Sequence, residues 1–99
     1  PDILVVKPPL ERYEERHPLP EDILLIIEIS DSTLRKDKTD KLALYASVGI
    51  PEYWSLNLKK MQLEVNRVPD TVEMRYREVI LLKMNEAARF GECEVVWWS

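Results

Sequence analysis

The chain has 99 residues, of which 45% are hydrophobic and 32% are charged, and its formal net charge is −4. This composition predicts one globular domain over residues 1–99 and excludes a protein that coats nucleic acid through bulk positive charge. No apolar run approaches the ~20 residues that a membrane-spanning helix needs, so we expect no membrane partner. The single Cys93 excludes an internal disulfide and a cysteine-based zinc site, and it fits a reducing cytoplasm.

The first part of the chain predicts two strands separated by a loop. "DILVV" at residues 2–6 is a short β-branched run that ends at two prolines, and a polar, proline-punctuated loop follows it. Residues 22–30 form a dense run of Ile and Leu without helical spacing, which is typical of a buried central strand. With a period of two, Glu28 shares one face of this strand with Ile26 and Ser30.

A helix is predicted after this strand. It begins at Leu34 or Asp37 and continues to Val48, where apolar positions keep helical spacing until Gly49 supplies the stop. Lys41 lies on this helix.

The remaining sequence predicts a meander of strands. "EYWSL" reads as a strand, and "MQLEVNRV" alternates like a half-exposed one. A hairpin turn is predicted at Pro69-Asp70, with "TVEMRYREVILL" as the return strand and "EVVWW" as one more. The order predicts an α/β or α+β domain with a mixed central sheet and a flanking helix.

Two acids stand out by their positions in the predicted strands. Asp2 opens the first strand, and Glu28 lies inside the apolar run, where an unpaired carboxylate would cost several kcal/mol. If the two strands pair, both carboxylates converge at one edge of the sheet, and a shared divalent cation would relieve their repulsion. Two hard oxygen ligands suit Mg²⁺, and Lys41 would fold back over the pair to orient a water or balance a phosphate charge.

Each of these residues also has a structural interpretation. An Asp at the start of a strand is commonly a cap or turn residue, and Lys41 belongs to a charged helix face that solvent can cover. Glu28 would then form a salt bridge with Lys41 or Arg35. Spacing alone leaves both interpretations open.

A longer string in the sequence resembles a known family. "PD…VV", followed by "EDILLIIEISDSTLRKDKTDKLALYASVGIPEYW", resembles the Uma2 (DUF820) family of restriction-endonuclease-like proteins in the PD-(D/E)xK nuclease superfamily. The resemblance covers residues 1–67, and "EISDST…D…K…Y…GI.EYW" is its most specific part. It implies a restriction-endonuclease-like core in which Asp2 and Glu28 hold Mg²⁺, with Mn²⁺ as a substitute. It also implies that Lys41 is the catalytic lysine.

Two departures from the usual pattern accompany this resemblance. The superfamily lysine usually lies two residues after the acid, where this chain has Ser30, so the resemblance moves its role to Lys41 on the following helix. Asp37 matches the family pattern as a capping residue or a support for the site. Family members carry a segment before the PD motif that this chain lacks, so we expect the N-terminal part of the fold to be missing here.

Two functions from different classes follow. The first is a Mg²⁺-dependent endonuclease that hydrolyses phosphodiester bonds in DNA, with Asp2, Glu28 and Lys41 as catalytic residues. The alternative is a non-catalytic nuclease-fold domain that binds protein or DNA. Cutting both strands would suggest a homodimer, for which "VVWW" offers an interface unless it is an ordinary core strand.

Overall fold

A computed structural model describes residues 2–31, 35–83, 87–90 and 93–96 of the chain. These residues form seven strands, one α-helix and two short 3₁₀-helices, at Leu10–Tyr13 and Pro20–Asp22. The longer elements are β1 (Ile3–Val6), β2 (Ile23–Ser30), α1 (Arg35–Ser47), β3 (Glu52–Asn57), β4 (Gln62–Asp70), β5 (Arg75–Lys83), β6 (Ala87–Phe90) and β7 (Cys93–Val96).

The first five strands form one mixed sheet in the order β1-β2-β3-β4-β5. β2 and β3 are parallel and are joined through α1, whereas the other neighbouring pairs are antiparallel. A parallel pair needs such a crossover, because its second strand must start at the same end of the sheet as the first. The predicted mixed sheet with a flanking helix is confirmed.

The C-terminal end of α1 is fixed by a glycine in the left-handed region. Gly49 has a φ of 77°, and its N–H donates to the carbonyl of Ala46 at 3.0 Å. The N–H of Ile50 donates to the carbonyl of Tyr45, also at 3.0 Å. This pair of bonds is a Schellman motif, which a residue with a Cβ adopts less readily. The predicted stop at Gly49 is confirmed, and the last helical residue is Ser47; the predicted start at Leu34 lies outside the described residues.

Each face of the five-stranded sheet carries its own apolar cluster. Alternation along the strands sends neighbouring residues to opposite faces, so both sides of the sheet bury apolar surface. On the helix side the buried residues are Ile26, Ala46, Ile50, Tyr53 and Tyr76. On the opposite side they are Leu25, Trp54, Leu63 and Val65.

The hairpin turn between β4 and β5 lies further along the chain than we predicted. Pro69 and Asp70 belong to β4, and the turn occupies residues 71–74, so the prediction of a turn at Pro69-Asp70 is wrong. Pro69 is tolerated in the strand because the pairing of β4 with β3 ends at Arg67, which leaves no partner on that side for a missing N–H. The Asp70 carboxylate instead caps the turn by accepting two of its backbone N–H groups.

The last two described strands form a separate antiparallel hairpin. β7 overlaps the predicted strand "EVVWW", whereas β6 was not predicted. The sequence of β6, "AARF", has no β-branched residue and no apolar alternation, so it gave no strand signal. Trp97 and Trp98, which we considered for a dimer interface, lie outside the described residues.

Candidate active site

A row of polar side chains crosses the helix side of the sheet. The register pairs Glu28 of β2 with Ser55 of β3, and Ser55 with Glu64 of β4. Residues that pair in register point to the same face, so two carboxylates flank one hydroxyl across three strands. The segment before β1 reaches the end of this row, because Asp2 is hydrogen-bonded to the backbone of Ile29, the residue after Glu28.

Glu28 is held by two side chains from α1. Its residue is only 8% exposed, and its Oε2 lies 2.9 Å from the Nζ of Lys41. The hydroxyl of Tyr45 donates to the same oxygen at 3.1 Å. Lys41 and Tyr45 are four residues apart, so both leave the helix on the same side. A cation and a neutral donor therefore compensate the carboxylate that the sequence puts inside an apolar strand.

Tyr45 remains a hydrogen-bond donor over the whole physiological range. Its burial raises the pKa of the phenol to about 12, and the negative charge of Glu28 and the hydrogen bond to it act in the same direction. The ring also packs edge-on against Tyr53, with ring centroids 5.2 Å apart. Tyr45 thus combines a core contact with a bond to Glu28.

Asp2 lies beside Glu28 at the edge of the sheet. Its Oδ2 accepts a hydrogen bond from the backbone N–H of Ile29 at 2.7 Å, which ties the start of β1 to the end of β2. The side chain is otherwise exposed to solvent. The two predicted metal ligands thus lie near each other, Asp2 just before β1 and Glu28 on β2, and Lys41 contacts Glu28.

Three further sequence interpretations concern this site. Ser30 follows Glu28 on the same face and is exposed at the end of β2, so the lysine near Glu28 comes from the helix and not from this position. The side chains of Asp37 and Arg35 lie outside the described residues. Of the two cations proposed as salt-bridge partners for Glu28, Lys41 forms that pair in the described part of the chain.

The oxygen ligands near the end of β2 suit Mg²⁺ by their chemistry. Mg²⁺ commonly takes one or two carboxylates and completes its shell with waters and substrate phosphates. Asp2 and Glu28 supply that number of hard oxygen ligands, Asp2 from just before β1 and Glu28 from β2. The described part of the chain has no group of three or more His, Cys, Asp and Glu side chains that could hold a metal. The residues present thus fit a partly hydrated Mg²⁺ and not a site closed by protein ligands.

A second acid–lysine pair lies beside the first and was not predicted. The Nζ of Lys38 is 2.7 Å from Oε2 of Glu64, and the amide of the buried Asn66 donates to Oε1 at 3.1 Å. Lys38 is one helical turn before Lys41, so α1 contacts β4 with one lysine and β2 with the other. The alternation in "MQLEVNRV" was the available signal, since it puts Glu64 and Asn66 on one face.

A second buried carboxylate, Asp22, is unrelated to this row. It is 4% exposed and accepts from Arg16 at 2.8 Å, from Arg12 at 3.3 Å and from the backbone N–H of Leu19 at 2.9 Å. The hydrogen bond from Arg16 is the largest of the effects that lower its pKa from 3.8 to about 2. All these donors come from the loop before β2, so Asp22 fastens that loop.

Comparison with known proteins gives one match. The model of the protein family Uma2, described as "Putative restriction endonuclease", matches residues 1–93. No curated protein and no solved structure matches the chain. In the part of the chain that the structure describes, no helix combines the length and the apolar character needed to cross a membrane.

Proposed function

Because the chain belongs to the Uma2 family, whose model covers residues 1–93, we propose that it is a Mg²⁺-dependent endonuclease that hydrolyses phosphodiester bonds in DNA. The observation that carries this proposal is the buried Glu28, which is bound by a lysine from the following helix and is followed by Ile29, whose backbone N–H donates to Asp2. Burying a carboxylate inside a central strand costs desolvation free energy. A functional role in a charged site accounts for its presence there.

In this proposal Asp2 and Glu28 hold the metal. A bound Mg²⁺ would polarise the phosphate and lower the pKa of an attacking water. Hydrolysis then forms a bond between the water oxygen and phosphorus, breaks one ester P–O bond and returns a proton to the leaving oxygen.

The other side chains orient the reacting groups and balance their charge. The Lys41 side chain is 40% exposed although its Nζ contacts Glu28, so its ammonium faces both the carboxylate and the solvent side from which a substrate would come. There it stabilises the charge that develops on the phosphate oxygens or positions the water. Tyr45 restrains the Glu28 carboxylate by donating to Oε2 and remains protonated while it does so.

One observation favours the alternative of a non-catalytic binding module. Lys41 and Tyr45 already compensate Glu28 without an ion, as a purely structural pair would. The net charge of −4 also weakens general attraction to DNA. Metal binding separates the two functions, since a scaffold of this kind has no need of it.

The test is cleavage of supercoiled plasmid by the purified protein in Mg²⁺ or Mn²⁺, with an EDTA control. We expect Glu28→Gln to reduce the rate by about 10³-fold or more, because it removes a metal ligand while preserving shape. Glu52→Gln is the matched control: Glu52 is also a partly buried strand carboxylate in an ion pair, with Arg67, but it lies on the opposite face of the sheet.

Calorimetric titration with Mn²⁺ accompanies the assay. The proposal requires binding to the wild type and to Glu52→Gln, and loss of binding in Glu28→Gln. Absence of both cleavage and metal binding in the wild type, at high enzyme and metal concentrations, would establish the binding module instead.

Two broader parts of the proposal concern assembly and location. One site cuts one strand, so double-strand cleavage calls for two chains, and we propose a homodimer acting in the cytoplasm. Sedimentation of the protein with and without a DNA duplex tests the assembly.

A further inference from the structure

A polar groove lies next to the candidate active site and takes no part in the mechanism above. Its lining includes Lys38, Ser55, Asn57, Lys60, Gln62 and Glu64. Ser55 is the register partner of Glu28, so the groove begins one strand away from the proposed metal ligand. Neighbouring strands are ~4.8 Å apart, which puts Glu64 about 10 Å from Glu28 across the sheet.

The floor of the groove is built from two successive rows of the sheet. One row contains Ser55 and Glu64, and the next pairs Asn57 with Gln62. The turn that joins β3 to β4, residues 58–61, closes the end of the groove and carries Lys60. Asn57 stabilises this turn, because its Oδ1 accepts the backbone N–H of Lys60 at 3.0 Å. This bond uses the side-chain oxygen of Asn57. The N–H donors of the same side chain are on its other terminal atom, Nδ2.

The groove is rich in donors and carries a positive balance. Lys38 and Lys60 supply two ammonium groups, and the two amides and a hydroxyl supply neutral donors. Glu64 is the one carboxylate in this set. Its two oxygens are bound to Lys38 and Asn66, so its charge is compensated within the protein. Such a set suits a singly charged phosphodiester better than a cation or a neutral sugar.

We infer that this groove binds a backbone phosphate of a nucleic-acid strand, a few nucleotides from the phosphate at Glu28 and Lys41. The inference rests on the proposed function for the identity of the substrate, and it adds a contact that positions the strand without reading bases. Lys60 makes the principal charge contact from the turn, and Asn57 and Gln62 donate from the floor.

The experiment compares two neighbouring lysines of one turn. Binding of a short fluorescein-labelled DNA duplex is followed by anisotropy over a series of salt concentrations, with Ca²⁺ in place of Mg²⁺ to hold back cleavage. We expect Lys60→Gln to weaken binding roughly fivefold at low salt and to reduce the slope of log K against log salt by about 1. Lys59→Gln, an exposed neighbour that does not line the groove, should retain the wild-type affinity and slope.

A second variant tests the floor of the groove. Gln62→Glu preserves the size of the side chain and adds a negative charge next to Glu64, so it should weaken binding more than Lys60→Gln does. Thermal unfolding of each variant checks that the sheet is intact.

The outcomes separate this inference from the proposed function. If the wild type cuts DNA but Lys60→Gln binds and cuts as Lys59→Gln does, the groove inference is wrong and the nuclease stands. If the wild type does not cut, yet Lys60→Gln and Gln62→Glu selectively lose binding, the groove is supported and the nuclease is not. Equal competition by an acidic peptide and by unlabelled duplex would overturn the assignment to nucleic acid.

Discussion

Asp22 and Glu28 lie six residues apart, the first just before β2 and the second near the end of that strand, and both are buried carboxylates with charged partners. Asp22 is bound by Arg12, Arg16 and the Leu19 N–H, all within the loop that precedes it. Glu28 is bound by Lys41 and Tyr45, which come from the helix beyond its strand.

The origin of the partners explains the difference between the two sites. Local donors surround Asp22 and hold its pKa at about 2, so this carboxylate is charged and satisfied at any ordinary pH. Glu28 depends on how α1 packs against the sheet, and it lies near another carboxylate, Asp2. One acid fastens a loop, while the other joins a strand of the sheet to a lysine and a tyrosine of the helix.

Among the variants that test this comparison, we expect the largest effect from replacing Lys41, the cation that contacts Glu28. We expect Lys41→Met to reduce plasmid cleavage by about 10²- to 10³-fold, the range for loss of one charge-stabilising group. The free energy of unfolding should also fall, because the buried Glu28 carboxylate would lose the Lys41 ammonium and keep the bond from Tyr45, but by less than for a fully buried pair, since the lysine side chain is 40% exposed. Cleavage rate and urea unfolding of the same preparation measure both quantities, with Lys59→Met as the control.

The structural interpretation makes the opposite prediction for this variant. A loss of ~3–5 kcal/mol, as for a broken buried pair, with cleavage unchanged below the unfolding temperature would make Lys41 a structural residue only.

The next effect concerns the stability conferred by Asp22. Its pKa in the fold, about 2, is below its ordinary 3.8, so its stabilisation is present above pH 3.8 and is lost as pH falls through about 2. Asp22→Asn should therefore be less stable than the wild type at neutral pH, and the difference should shrink between about pH 4 and pH 2. Urea midpoints across this range measure it.

Glu21→Gln, at the exposed neighbouring position, is the control for Asp22→Asn. We expect both variants to cleave at the wild-type rate while folded. A stability difference that stays constant down to pH 2, or a loss of cleavage, would show that Asp22 acts in another way.

The smallest expected effect is that of removing the Tyr45 hydroxyl, which donates to Glu28. Tyr45→Phe removes one hydrogen bond to the carboxylate and should cost about 1 kcal/mol of stability and about tenfold or less in rate. The pKa of Tyr45 is raised to about 12 from 10.0, so the wild type loses this stabilisation as pH rises from 10 to 12. Alkaline unfolding curves should therefore converge over that range.

Tyr13→Phe is the matched control, because Tyr13 also donates one hydrogen bond, to the Lys7 carbonyl, far from the helix. If Tyr45→Phe lowered the cleavage rate as strongly as Lys41→Met, the phenol would have a direct role in the reaction and not only a restraining one.

The central part of the fold was predictable from the sequence. The dense apolar run of β2, the helical spacing before Gly49 and the alternation of β4 each repeat one period long enough to identify the element. The match to the family model over residues 1–93 agrees with the resemblance found in the motif string. The restriction-endonuclease-like α/β architecture is confirmed on these grounds.

The elements and contacts that were missed depend on information that no short window carries. Pro69 is typical of a turn, yet it lies in β4. The strand tolerates its missing N–H because β3 no longer pairs with β4 beyond Arg67. The pair of Lys38 and Glu64 joins residues 26 apart in the chain, through the register of a sheet that the sequence does not specify. Asp22 follows a polar segment, where an acid is common and gives no sign of burial. Glu28 lies inside an apolar run, where an acid is unusual.

The absence of a large side chain at Ala46 matters for both lysines of α1. Ala46 is fully buried between helix and sheet, where its methyl group lets the helix backbone lie close to Ile26 and Tyr53. Lys38 and Lys41 span the gap that remains, one to β4 and one to β2. A bulkier residue would lift the helix and lengthen both spans at once without altering a single charge. The geometry of both lysine contacts therefore depends on a small apolar residue that has no chemistry of its own.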